Sequence, residues 1–305
     1  MTLRIGSLIP FQLVDGALDQ LKSCLSDMAD AGLDHAVIGD HVSFFGGFGI
    51  DGLISAGSML ALEPRLSVCT SVYQLPLRHP VIVARQLSTI ANLAPGRLVF
   101  GVGLGGDDRH EVEVCGVDPK TRGQRMDECL AVVRGLQDGA AFDFEGRFFQ
   151  LDEAMVLPPP PAPITIMIGG RADATFRRVA RFGDGWLGLW VSPERFSEGV
   201  ARIAEYVADY PREPDWQHGM TVWCGFAGDE KTAKASVSRA MERLYGQPFE
   251  RFEKYSPYGS PARIADFLVP YRDAGCTTFN LLARAPSVGE GIEGVAEVAR
   301  LLKSS

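Results

Sequence analysis

A regular metre constrains this chain more than any other feature. Strand-like runs at residues 3–9, 34–38, 65–72 and 97–104 begin about 31, 31 and 32 residues apart, the length of one strand, one helix and two short connections. Helical faces lie between them: Leu18, Leu21, Leu25 and Met28 share one, and Val83, Leu87, Ile90 and Ala91 another, each at the 3.6-residue period. Gly32 closes the first helix and Pro95-Gly96 the third, as helix C-termini often close.

The second half repeats the alternation less evenly, with strand candidates at 164–168, 185–190, 221–226 and 277–282. Further helical faces are Met126, Cys129, Leu130 and Val133; Val200, Ile203, Ala204 and Val207; and Val295, Val298, Ala299 and Leu302. Eight strand and helix units predict a (β/α)8 TIM barrel, one domain over residues 1–305. The metre breaks after strands 4 and 7, which reads as two insertions. The first holds a hairpin around Glu145-Gly146 and a polyproline II stretch at 158–161; the second holds a surface loop or lid at 249–261. A doubly wound sheet is the rival architecture, because Gly101-Val-Gly-Leu-Gly-Gly106 fits a dinucleotide fingerprint. These glycines start inside strand four instead of a first βα turn, which argues against it.

Composition narrows the partners. The 305 residues carry a formal charge of -8, which disfavours nucleic acid. No run approaches the roughly 18 apolar residues of a membrane span, and the N-terminal residues enter a strand pattern at once, so a cytoplasmic protein acting on a small molecule is expected. The six cysteines are scattered without a C-x-x-C pair, so neither a disulfide framework nor a metal site is expected.

In a barrel the reactive face is the one where strands end. Strand two ends in Gly39-Asp40-His41, where an imidazole oriented by a neighbouring acid could move a proton; the alternative is a loop cap with a surface histidine. Strand three ends in an almost uncharged stretch, Thr70-Ser71-Val72-Tyr73-Gln74, which would make a floor for a planar ring. Strand five ends in Ile168-Gly169-Gly170-Arg171 before a short helix at 173–182. Bare amides at a helix start beside an arginine suit a phosphate, although a tight turn alone would also require those glycines. Phe11, Phe44, Phe45, Phe48, Trp190 and Trp223 sit near strand ends as candidate substrate contacts, with second-layer core as the alternative. No Arg and Lys cluster for a phosphorylated substrate is evident at the rim.

Taken together, Gly39-Asp40-His41, residues 70–80 leading into Ala84-Arg85-Gln86-Leu87, Gly96-Arg97-Leu98-Val99-Phe100-Gly101-Val102-Gly103, Arg122-Gly123-Gln124-Arg125-Met126-Asp127-Glu128, Gly169-Gly170 and Asp184-Gly185-Trp186 resemble the luciferase-like monooxygenases and their deazaflavin-dependent relatives. The resemblance covers nearly the whole chain. It implies an oxidoreductase that binds coenzyme F420, with FMN as the alternative, over the strand ends. Only six of the 30 basic residues are lysine, an arginine-rich habit typical of high-GC genomes, which many F420 producers have. The resemblance also implies that Asp40 and His41 lie near the ring, that Thr70, Ser71 and Val72 form a bulge behind it with a cis peptide, and that Gly103, Gly105, Gly106, Ile168, Gly169, Gly170 and Arg171 serve the tail and phosphate. His41 becomes the catalytic candidate, hydride transfer to or from an apolar substrate the expected reaction, and a homodimer the expected assembly. One departure stands out. Where the sugar-phosphate dehydrogenases of the group place a proton-donating glutamate after the strand-four glycines, this chain has Gly106, then Asp107 and Asp108, so sugar-phosphate oxidation is not expected.

Overall fold

The computed structural model describes residues 2–14, 18–105 and 108–304. Among them, β1 (Arg4–Leu8), β2 (His35–Ile38), β3 (Ser67–Thr70), β4 (Leu98–Gly103), β5 (Thr165–Gly169), β6 (Gly185–Leu189), β7 (Gly219–Phe226) and β8 (Thr278–Arg284) pair in parallel, each with the next. The ring closes where Arg4 of β1 pairs with Thr278 of β8 and Phe100 of β4 with Ile166 of β5. This is the (β/α)8 barrel that the metre predicts. The strands are buried on both faces, which is why they read as continuous apolar runs without alternation. Inside the ring, Cys69, Val99, Met167 and Leu187 form one layer, and Val72 rests on it from the mouth.

The outer helices bury the faces that the period picks out, with two exceptions. Leu18, the first residue of its helix, is exposed because the contacts with the barrel begin at Leu21. The helix Pro193–Val207 packs through Phe196, Gly199 and Ile203, leaving Ala204 in solvent; the inward face is rotated from the expected one. Between β4 and β5 lie a short helix, Arg109–Val114, a longer one, Arg122–Gly135, and an antiparallel hairpin pairing Glu145 with Gln150. The proline-rich run after it is held by the helix Pro80–Leu93: Arg85, Ser88 and Asn92 donate to the carbonyls of Leu157, Pro158 and Pro159. After β7 and the helix Glu230–Tyr245, the chain makes two short turns and pairs Tyr258 with Gly225 at the end of β7. Phe249 is fully buried there, so this segment is packed against the barrel. Among the described residues no helix is long and apolar enough to cross a membrane.

One element goes beyond the sequence reading. After β2 the chain forms an antiparallel hairpin, His41–Phe44 against Phe48–Ile50, that turns at Gly46-Gly47 with φ of 88° and 95°. Both positions need the left-handed region that glycine enters at little cost. The hairpin stands over the C-terminal mouth of the barrel.

Candidate active site

Two groups of side chains assemble at the mouth on the β2 and β3 side. Asp40 is buried and takes a two-pronged ion pair from Arg78, at 2.6 and 2.7 Å. Its oxygens also accept the amides of Gly52 and Gln74 at 3.0 and 2.9 Å. Burial raises this carboxyl above its ordinary value, while the facing guanidinium and the two amides pull the other way. The carboxylate is thus committed to the scaffold. It does not orient His41, which corrects the expectation of an Asp-His pair.

Glu111 performs that task. It lies on the short helix after β4, almost wholly buried, and its oxygens stand 3.1 and 3.2 Å from Nδ1 of His41. It also accepts the amides of Val42 and Ser43 at 2.7 and 3.2 Å and the Gln74 side-chain amide at 3.1 Å. Burial alone would raise the Glu111 carboxyl, but hydrogen bonds from His41 and Gln74, the charge of His41 and the Val42 amide together hold it at about 2. An ionised Glu111 assigns the ring proton to Nδ1. Nε2 then remains as the exchangeable nitrogen, with no protein partner among the described residues. The ring stacks on Phe44 with centroids 4.0 Å apart. Asp108 completes the arrangement by accepting the Phe45 amide at 2.8 Å while capping the same short helix.

A second set builds a flat surface. The Ser71–Val72 peptide is cis, as the resemblance implies. Ser71 Oγ bonds across the mouth to Thr221 Oγ1 of β7 at 2.9 Å, and Thr70 Oγ1 donates to the Gly101 carbonyl, so both hydroxyls serve the barrel. The partly exposed Val72 side chain fits because Gly103 and Gly169 have no Cβ: one on Gly103 would stand 2.5 Å from Val72 Cγ2, and one on Gly169 3.1 Å from Cγ1. Gly105 has φ of +65° and lies against Gln74. The Arg122 guanidinium donates to its carbonyl at 3.2 Å. On the β5 side, Ile168 is buried, Gly169 and Gly170 precede the helix Asp173–Phe182, and Arg171 lies over the Trp190 ring at 5.7 Å. Gly106 and Asp107 fall outside the described residues.

This set fits a flavin-type cofactor. The Val72 isopropyl group, framed by side-chain-free backbone, offers an apolar platform for a ring. Among the described residues Gln74 Oε1 and Trp190 Nε1 are buried without partners, and such polar atoms are normally satisfied.

Across the mouth a cavity of about 690 Å³ opens between the ends of β7, β8 and β1 and the hairpin. Phe11, Phe44, Phe45, Phe48 and Trp223 line it, together with Arg243 and Arg284. Trp190 does not. It packs at 5.0 Å against Tyr245, which separates it from Trp223, and at 4.6 Å against Phe252. Glu111 and the two arginines escape a sequence reading, since nothing in their neighbourhoods marks them.

The family model for luciferase-like monooxygenases matches residues 3–278. The chain belongs to that family. Among curated relatives, an uncharacterized protein of Mycobacterium tuberculosis is 36% identical over 154 residues, covering 50% of this chain and 53% of the relative. The F420-dependent glucose-6-phosphate dehydrogenase of Nakamurella multipartita is 31% identical over 173 residues, covering 53% and 51%. These family matches thus span about half the length of the curated relatives. A solved F420-dependent secondary alcohol dehydrogenase, in complex with an F420-acetone adduct, superposes with a TM-score of 0.86 over 99% of both chains at 20% identity, which establishes the shared fold.

Proposed function

We propose that this chain is an F420-dependent oxidoreductase that exchanges a hydride with an apolar organic substrate. One observation carries the reading: a Val72 platform framed by Gly103 and Gly169 and a carboxylate-held imidazole share the barrel mouth, and that imidazole stacks on Phe44, which lines an aromatic cavity. The F420-dependent relatives support it. A deazaflavin bound there supplies two-electron hydride chemistry.

The chain's own residues have separate duties. Val72 backs the ring; amides at Gly105, Gly169 and Gly170 and the start of the helix Asp173–Phe182 receive the tail phosphate. His41 Nε2 takes or returns the substrate proton, while Glu111 keeps the imidazole in one tautomer. The phenylalanines of the hairpin give the cavity its apolar lining.

Titrating the purified protein with F420 and, separately, with FMN by fluorescence tests the assignment. F420 is expected to bind at least about tenfold more tightly, a difference of about 1.4 kcal/mol. Equal or tighter binding of FMN would transfer the reading to an oxygen-using monooxygenase, and binding of neither would end it.

A further inference from the structure

The aromatic cavity has one feature out of keeping with an apolar substrate. Arg284, the last residue of β8, lines it with a partly buried guanidinium. No carboxylate among the described residues lies in ion-pairing distance of it. Its Nη1 bonds to the Ala283 carbonyl at 2.8 Å and its Cζ lies 4.7 Å over the face of Trp223, with the neutral side chains of Tyr245 and Cys224 nearby. Burial lowers this guanidinium from its ordinary value. A cation withdrawn from water without a counter-ion is costly to maintain, and a guanidinium fork matches a carboxylate in shape and charge. Arg243, exposed on the helix Glu230–Tyr245, adds a second cation to the cavity lining.

Position around the ring separates this cation from the cofactor's phosphate. The glycines assigned to the tail end β4 and β5, whereas the cavity lies at β7, β8 and β1, and β8 stands diametrically opposite β4.

From this geometry we infer that the cavity takes an organic monoanion: an aromatic or otherwise apolar body among Phe11, Phe44, Phe45, Phe48 and Trp223, with its carboxylate on Arg284. This deepens the function proposed above and rests on that reading for the word substrate, but the anion site itself does not depend on it. A single charge is specified because Arg284 is the partly buried guanidinium of the lining, whereas Arg243 is exposed and hydrated, so a second buried negative charge would find no equally desolvated partner. Arg284 is thereby a specificity-determining residue.

Calorimetric titration of the cofactor-free protein with 2-naphthoate, 2-naphthamide and 2-naphthyl phosphate tests the inference. Naphthoate should bind about tenfold or more tightly than the isosteric amide, the scale of one charge-assisted pair, and more tightly than the phosphate. Arg284→Met should abolish the preference while F420 affinity stays unchanged and the unfolding temperature does not fall, and Arg284→Lys should restore part of the preference. Failure of naphthoate to bind, equal affinity for acid and amide, or a preference that survives in Arg284→Met overturns it. Preference for the dianion overturns the monoanion assignment. If carboxylate selectivity is present but F420 does not bind, the anion site stands and the proposed function falls; the reverse pattern removes this inference alone.

Discussion

Glu111 connects the site to stability, and its contribution can be worked out from its surroundings. The carboxyl binds its proton more weakly in the folded chain, at about 2, than its ordinary value of 4.5. Each unit of difference corresponds to about 1.4 kcal/mol, so the ionised Glu111 favours the folded state by about 3 kcal/mol. Because the folded value is the lower one, this stability is fully present above pH 5 and disappears as pH falls toward 2. Replacing Glu111 with Gln removes the titration. The neutral amide can still accept the Val42 and Ser43 amides, which share one oxygen, but its NH2 then faces His41 and Gln74. Urea unfolding of both proteins from pH 3 to 7 isolates the effect, since all other carboxylates cancel in the difference. The wild-type advantage should be about 2 to 3 kcal/mol at pH 7 and should have lost a large part of that by pH 3. A difference that is constant with pH would refute the argument, because it would mean that Glu111 acts by shape and not by charge.

Three further outcomes are expected. His41→Ala should lower turnover about 10²- to 10⁴-fold and leave F420 affinity, read by fluorescence, intact; unchanged turnover would remove the proton-transfer role. Asp40→Asn should destabilise the chain by about 3 kcal/mol in urea unfolding, the low end for breaking a buried pair, since Asp51 at 3.5 Å still faces Arg78; a cost under about 1 kcal/mol, the level of an exposed pair, would contradict the geometry. Gly103→Ala should cost about 1 to 3 kcal/mol by overpacking against Val72 and weaken cofactor binding. In a Val72→Ala background that cost should shrink by more than half, and additive effects would show that the two residues do not touch.

The barrel was legible because parallel strands buried on both sides leave unbroken apolar runs, and because a βα unit has a nearly fixed length. The platform was legible through its glycines, whose missing side chains are visible in the sequence. The hairpin over the mouth was not. Its signal, Gly46-Gly47 between aromatic residues, was present, but it interrupts the metre only briefly. Glu111 gave no warning, since its partners His41, Val42 and Ser43 are about 70 residues away and a glutamate on a short polar helix reads as a surface residue. Arg284 lies beyond the strand that the sequence pattern predicts, which ends at Leu282. Pairing of Arg284 with Gly225 of β7 carries β8 two residues further, and that extension brings the guanidinium to the cavity.

The hairpin is fastened at its root and near its turn by carboxylates of a single short helix, Glu111 and Asp108, while the turn glycines meet nothing within 4 Å of where a side chain would begin. Its sequence at the tip is therefore uncoupled from folding of the barrel. Exchanging Phe45 or Phe48 reshapes the roof over the reactants without touching the ring of strands, so catalytic scope can drift in this protein, or be redirected by design, at small risk to the scaffold.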